Sequence, residues 1–391
     1  MAKMSYEALK VYVSNLVTIA KLSLADFTAT RNNTVGLLDK VGKIVVLDTD
    51  FQVDKLAIFD GEYLSFGKTI EEWSADLIMP EDYDADGSHA LSPHRSTYRP
   101  VFYSYTLGRK KIPQTIDYDD LERAVHFADQ YVTLIAMKYK RIADSMSAYR
   151  YQVKREMIAK FYAITQDSKL GLGDAGDTAT WSSASSTGWN SAVNKEGKNG
   201  LFVLKVNITS SSLNGVYIVV KPIAQASTKT LTELIADGSL IKLDLVTEIA
   251  KPVDDTTGEA FIEQLKKDVE IAGDLSEGHS LNGNSLGATD GLVLILKQGI
   301  MPNLEVNTWA GAFQKEMLAL PAEKIVVKDF GSENDGVYAV LMDRRAMRLH
   351  NTYNATRENL NGDGDFLNVF RHTEDTAYIS RNVFVKFYKN V

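Results

Sequence analysis

Gly283-Asn284-Ser285-Leu286-Gly287 has the G-x-S-x-G spacing of a nucleophile elbow, and Asp335 and His350 follow it in the order a hydrolase triad takes. The chemistry would be acyl transfer through the Ser285 hydroxyl, with an imidazole as its base. An elbow works because a strand runs into a sharp turn and a helix leaves it, which exposes the hydroxyl. No apolar strand precedes Ser285, and the run that follows, Leu292-Val-Leu-Ile-Leu296, reads as a strand. The match is therefore read as a loop, in a chain with 26 glycines to generate such matches. A serine hydrolase using Ser285 stays as an alternative.

Other enzyme-like spacings meet the same difficulty. Gly171-Leu-Gly173-Asp-Ala-Gly176 fits a dinucleotide fingerprint but follows a helix and enters a Ser/Thr loop, where that site needs a strand before and a helix after. Gly67-Lys68-Thr69 resembles the end of a phosphate loop, but the upstream glycine it needs would be at 62, which is Glu62. Asp82-Tyr-Asp84-Ala-Asp86-Gly87 opens like an EF-hand loop, yet the bidentate Glu of position twelve is replaced by Pro93. The acidic turn is left with weak calcium binding or simple solvation as its readings. Of the six histidines only His89 and His94 are close in sequence, in a proline-containing loop, which is poor ground for zinc. No catalytic residue, cofactor or metal is expected.

Charge is the more informative signal. Seven acids lie between Glu71 and Asp86, among them Glu71, Glu72 and Asp76, while Arg109, Lys110 and Lys111 form a basic triplet. These six named residues are candidates for contacts between subunits. A basic set on a long helix (Lys138, Lys140, Arg141, Arg150, Lys154, Arg155, Lys160) reads as a solvated face, with a nucleic-acid-binding surface as the alternative. The net charge of −8 argues against a dedicated nucleic-acid binder.

The elements that must position these residues are organised around Asp117 to Thr165. Apolar residues recur there in steps of four and three, at Leu121, Val125, Ala128, Val132, Ile135, Tyr139, Ile142, Met146, Tyr149 and Val153, with Asp117 as a cap and an end near Gln166. Unbroken, the helix would span roughly 70 Å, so something extended must flank it. Ser5–Leu22 predicts a short amphipathic helix, and Lys43–Phe66 predicts strands at 44–47 and 55–59. Gly67–Pro100 is long, proline-containing and without periodicity before the strand at 101–107, which suggests a two-stranded excursion away from the body. Beyond the Gly/Ser-rich 168–200, an α+β half follows: strands at 201–208 and 216–220 joined at Asn214-Gly215, a capping box at Thr230–Glu233, another at Thr256–Glu259, a strand at 292–296, a helix at 307–320 and strands at 325–327 and 337–341, read as one sheet with two or three helices. Met347–Arg371 is polar and aromatic with a turn at 359–365, and 378–388 alternates as a final strand that ties down the C-terminus. The 391 residues suffice for two or three packed units, and the absence of cysteine excludes disulfides and thiolate chemistry. No apolar run is long enough to span a bilayer and no signal-peptide layout opens the chain, so no membrane partner is expected.

This order of arm, excursion, long helix, α+β unit and terminal strand resembles the major capsid protein of tailed bacteriophages. The resemblance is carried by Arg109-Lys-Lys-Ile-Pro-Gln-Thr-Ile116 running into Asp117-Tyr-Asp-Asp-Leu-Glu-Arg-Ala124, by Val337-Tyr-Ala-Val-Leu-Met-Asp-Arg344 and by Phe366-Leu-Asn-Val-Phe370, the last two similar to head proteins of short-tailed phages. It implies an α+β, Hong Kong-97-like fold: an N-terminal arm at 1–42, an extended β arm (E-loop) at 43–113, a peripheral domain with the spine helix at 114–200, an axial domain at 201–345, and a peripheral return with the C-terminal strand at 346–391. It also implies a structural role in the virion. Hexamers and pentamers of the chain itself would form an icosahedral shell around double-stranded DNA held without sequence-specific contacts. Synthesis would be in the host cytoplasm, with a separate scaffolding protein and a portal as partners.

On this reading Ser285→Ala leaves particle yield and infectivity unchanged. Plaque counts and particle titres check this, and an esterase or protease activity abolished by the substitution would restore the hydrolase.

Overall fold

Among the described residues strands outnumber helices, and two of the helices open on capping boxes. The computed structural model describes residues 54–75, 98–103, 105–117, 128–172, 177–181, 202–208, 212–220, 229–285, 291–305, 322–331 and 336–391. A 3-10 turn at Ala57–Phe59 precedes β1 (Ile70–Ala75), β2 (Tyr98–Tyr103) and β3 (Lys110–Asp117). The long helix α1 (Ala128–Gln166) comes next, then β4 (Asp177–Trp181), β5 (Phe202–Val206) and β6 (Gly215–Val219). They are followed by α2 (Leu231–Ala236), β7 (Leu240–Leu243), β8 (Val246–Glu248), α3 (Asp255–Ala272), β9 (Ser276–Glu277) and β10 (Asn284–Ser285). The chain continues through β11 (Leu292–Lys297), the single turn α4 (Ile300–Asn303), β12 (Glu323–Val327), β13 (Val337–Asp343), β14 (Met347–Asn361), β15 (Phe366–Ile379) and β16 (Val385–Lys389). Among the described residues no helix is long and apolar enough to cross a membrane.

Two units divide the chain: one comprises 1–54, 107–151 and 351–375, the other 55–106, 152–350 and 376–391. The second unit is centred on a five-stranded sheet in the order β12-β11-β13-β16-β8. Every residue of β13 is buried, which suits a strand with a neighbour on each edge and a layer on each face. On one face Phe261, Ile262 and Leu265 of α3 pack with Leu294, Leu296, Tyr338 and Tyr388. On the other, Phe161 and Tyr162 near the end of α1 meet the Phe387 ring edge-on, with centroids 5.7 and 5.4 Å away. Phe387 and Tyr388 are adjacent in β16 and therefore serve opposite faces. The Tyr388 hydroxyl donates to the buried Asp268 of α3 at 2.7 Å, and Gln264 donates to the other oxygen at 3.0 Å. A second sheet, β4-β5-β6-β7, packs Trp181, Phe202, Leu204 and Tyr217 against Leu231 and Leu234 of α2.

The first unit holds a three-stranded sheet, β14-β15-β3, in which β15 and β3 are antiparallel from Phe366↔Asp117 to Thr373↔Lys110. Its described core is small: Ile116, Ile142 and Val369, with Ile112 and Leu367 partly buried beside them.

The α+β class is as read from the sequence, with several local differences. Asp117 ends β3, opposite Phe366, and the described helix begins at Ala128, so the first turn that Asp117 is expected to cap lies outside the described residues. Residues 55–59 are not a strand, because Leu56 and Phe59 are both buried at a spacing of three, which a 3-10 turn satisfies and a strand cannot. The box at 256–259 is displaced: Asp254 caps α3, paired reciprocally with Thr257. The box at Thr230 and Glu233 and the hairpin through Asn214-Gly215 stand as read. In place of the single expected sheet, the described residues form a five-stranded sheet, a four-stranded sheet and the short pair β9-β10; the stretch 347–371 belongs to two long strands, and 378–388 is interrupted at 380–384. Far from only tying down the terminus, β16 is an interior strand of the five-stranded sheet. The expected helices at 5–22 and 307–320 and the strand at 44–47 lie outside the described residues.

Candidate assembly interface

The excursion read from the sequence is a two-stranded antiparallel ribbon, β1 with β2, in register from Ile70↔Tyr103 to Ala75↔Tyr98. It is rooted in its own unit by several contacts. Asp60 bridges in parallel to Leu349, and the Gly61 N–H donates to the Leu349 carbonyl at 3.0 Å. Arg348 donates to the Ile58 carbonyl at 2.6 Å, and the wholly buried Lys154 ammonium meets Asp60 at 2.6 Å. Gly61 lies against the His350 ring so closely that an added Cβ would sit 2.5 Å from it, so only glycine fits. On the returning side Ala377 donates to the Tyr105 carbonyl at 3.1 Å, and Thr106 bridges to Thr376.

The ribbon has two unlike faces. Glu72 points to its own unit, where its carboxylate accepts from the Ser380 hydroxyl at 2.5 Å. Glu71 and Trp73 flank Glu72 along the strand and so take the opposite face, and Phe102, directly across from Glu71, shares it. Trp73 and Phe102 are each 63% exposed, and outside the ribbon Phe66, Tyr63 and Tyr105 are exposed as well. Two large aromatics exposed on one face of a ribbon are a feature of surfaces that another molecule covers.

Of the six charged candidates, Glu71 is exposed on the outer face and Glu72 is engaged within its own unit. Asp76 lies outside the described residues. Arg109 is also engaged within its unit: its Nε donates to the buried Glu374 at 3.3 Å, and its guanidinium lies 4.2 Å from the centre of the Tyr353 ring. Beside it, Asn351 donates to Thr373 and Asp375 at 3.0 Å each, and Arg150 lies 3.7 Å from Asp375. Burial first, and then the Asp375 charge, hold the Tyr149 phenol above its ordinary range. Lys110 and Lys111 are exposed, with the Lys111 ammonium 5.6 Å from the centre of the Phe370 ring.

The basic helix face does not survive as one solvated stripe. Lys154 is buried on Asp60, Arg155 pairs with Asp329, Arg150 faces Asp375, and Lys138 donates to the Thr115 carbonyl at 3.2 Å. Ser285 lies in the short strand β10 opposite Ser276, residues 286–290 after it lie outside the described residues, and the His350 Nδ1–H donates to the Glu62 carbonyl at 3.0 Å. Asp335 is outside the described residues, and among those described no group of three or more His, Cys, Asp or Glu is placed to hold a metal.

A family model described as Phi29-like phage major capsid protein matches residues 10–387. The chain belongs to that family. Its role is that of a structural capsid protein of the virion. No curated protein sequence matches it. Among solved structures, a chain from the capsid of Staphylococcus phage Andhra is similar at a TM-score of 0.55 and 10% identity, over 90% of this chain and 87% of that one. A chain from the structure of the head fiber and inner core protein gp22 of bacteriophage P68 is similar at 0.52 and 10%, over 89% and 87%. At such identity the likeness is one of fold. For a capsid protein the exposed aromatic pair is the feature sequence reading missed; the available signal was Trp73 and Phe102 lying in a segment without a core pattern.

Reversing Arg109 to Glu sets a second carboxylate against Glu374 and is expected to lower subunit stability by about 2 kcal/mol. The Lys110→Glu/Lys111→Glu double variant should unfold close to the parent. Denaturant titration of the three proteins checks this, and an equal loss in both variants would show that the Arg109 contacts contribute nothing.

Proposed function

We propose that copies of this chain form hexamers and pentamers of an icosahedral shell around double-stranded DNA. The observation that carries the proposal is the exposed face of Glu71, Trp73 and Phe102 on a ribbon whose other face is tied to its own unit. A second copy is the occupant that suits it, since a shell supplies the same neighbour at every position. Covering Trp73 and Phe102 would contribute about 1.5–3 kcal/mol per side chain before the cost of ordering. The acid-rich 71–86 segment is opposite in sign to the exposed Lys110 and Lys111. Each exposed pair between copies is worth only about 0–1 kcal/mol, but complementary charge sets register and encounter rate.

In this account residues 1–42 are an N-terminal arm, 43–113 the extended arm with its adjoining strands, 114–200 and 346–391 the peripheral domain, and 201–345 the axial domain around the capsomer centre. The role is structural and non-enzymatic. The protein is made in the host cytoplasm and assembles with a separate scaffolding protein and a portal. It encloses DNA without reading its sequence and needs no membrane.

Trp73→Ala combined with Phe102→Ala should leave a folded subunit with an unchanged circular dichroism spectrum and melting temperature, but at least tenfold fewer shells in cells expressing the phage head genes. Electron microscopy of gradient fractions checks this. Normal shell numbers from the double variant would sink the arm face as an assembly contact.

A further inference from the structure

Residues 380–384 separate β15 from β16 and carry a dense polar knot. Arg381 is buried there, and its guanidinium donates to Asn282 Oδ1 at 3.1 Å, to the Leu170 carbonyl at 2.5 Å and to the Leu281 carbonyl at 3.4 Å. Asn282 in turn donates from its side chain to Asn382 Oδ1 at 2.5 Å and from its backbone N–H to the Arg381 carbonyl at 2.9 Å. One side chain thus fixes the interruption of the strand against the segment that follows α1 and against the loop between β9 and β10. The outer edge of that knot holds Glu72: Ser380 donates to Oε1 at 2.5 Å, and the Arg381 backbone N–H donates to Oε2 at 3.4 Å. Asn382 donates its N–H to the Ser380 hydroxyl at 3.2 Å, which leaves that hydroxyl's proton for Glu72. Burial, and after it the Glu72 charge, holds the Tyr378 phenol far above its ordinary range, and the phenol is itself hydrogen-bonded to Glu72 and to Ser380, so it is a further member of the attachment.

Between this attachment and the root at Asp60 and Gly61, the chain has no regular structure and is mostly exposed. Gly67 lies in that stretch with φ +73° and nothing within 4 Å of where a Cβ would be. A left-handed residue in open space is a place where direction can change without a clash.

We propose that Glu72 is a latch: seated on Ser380 and Arg381, it fixes the direction in which the ribbon leaves its own subunit, with Gly67 as the pivot between latch and root. Arg381 is then a positioning residue, holding the two donors in place. The inference rests on the assembly reading only for its consequence, which is that the outer face of Trp73 and Phe102 is presented in one orientation to the next copy. The latch itself is a property of the unassembled subunit.

Hydrogen exchange read by mass spectrometry on the full-length, unassembled chain tests it. Glu72→Ala and Ser380→Ala should each speed exchange of the amides of β1 and β2 about tenfold or more, as expected for loss of a hydrogen bond to a charged group, while α3 keeps its parental protection. Glu72→Gln, which keeps size and one acceptor, should fall between. Unchanged exchange in β1 and β2 in both variants would overturn the latch. So would a uniform rise that includes α3, because the contact would then be one of general stability. Shells formed normally by the Trp73 and Phe102 variant would refute the assembly reading and leave this result standing.

Discussion

The ammonium of Lys154 has no exposed surface, and a cation in that position must be matched or it destabilises the fold by several kcal/mol. Asp60 matches it at 2.6 Å. That pair sets a loop residue against α1, and the chain before the ribbon is built outward from it: Asp60 bridges to β14, Gly61 fits under His350, and Arg348 closes on the Ile58 carbonyl. A ribbon of two strands has little core of its own, so its direction has to come from such contacts. The polar groups of this region are therefore engaged in anchoring, while Trp73 and Phe102 of the ribbon are left exposed.

The division of labour between faces follows from strand geometry. Alternation places Glu72 toward its own subunit and Glu71 with Trp73 away from it, so one strand can be held and still present a surface. The charged residues divide in the same way. Arg109 is occupied by Glu374 and Tyr353, whereas Lys110 and Lys111 remain exposed. Under the proposed assembly, fewer charges of the basic triplet are left for a neighbouring copy, and covering Trp73 and Phe102 would contribute more than any exposed ion pair does.

Much of the α+β unit was legible because its signals are local. The capping box at Thr230 and Glu233, the turn at Asn214-Gly215 and the apolar run at 292–296 each depend on neighbouring residues only. The long strands at 347–361 and 366–379 were not legible, since most of their residues are neither fully buried nor fully exposed and no alternation develops. The end of α1 near Gln166 was legible from where its apolar periodicity stops, whereas the strand at 110–117 was not, since its pairing is with 366–373, about 250 residues away. The Arg381 interruption was visible as a break in alternation, but its partners lie about a hundred residues or more away and no local pattern announces them. The two-stranded ribbon was legible as a segment, from its length, its prolines and its lack of a core pattern. Which residues share its outer face was not, because that depends on the register of β1 with β2.

The most direct test of the account is a cryo-electron microscopy reconstruction of the particles formed by the full-length chain with the phage's own head proteins. The account predicts that Trp73 and Phe102 of each copy are covered by a neighbouring copy, while Glu72 stays on Ser380 and Arg381 of its own. Ribbons projecting into solvent from a closed shell, with both aromatics uncovered, would contradict it.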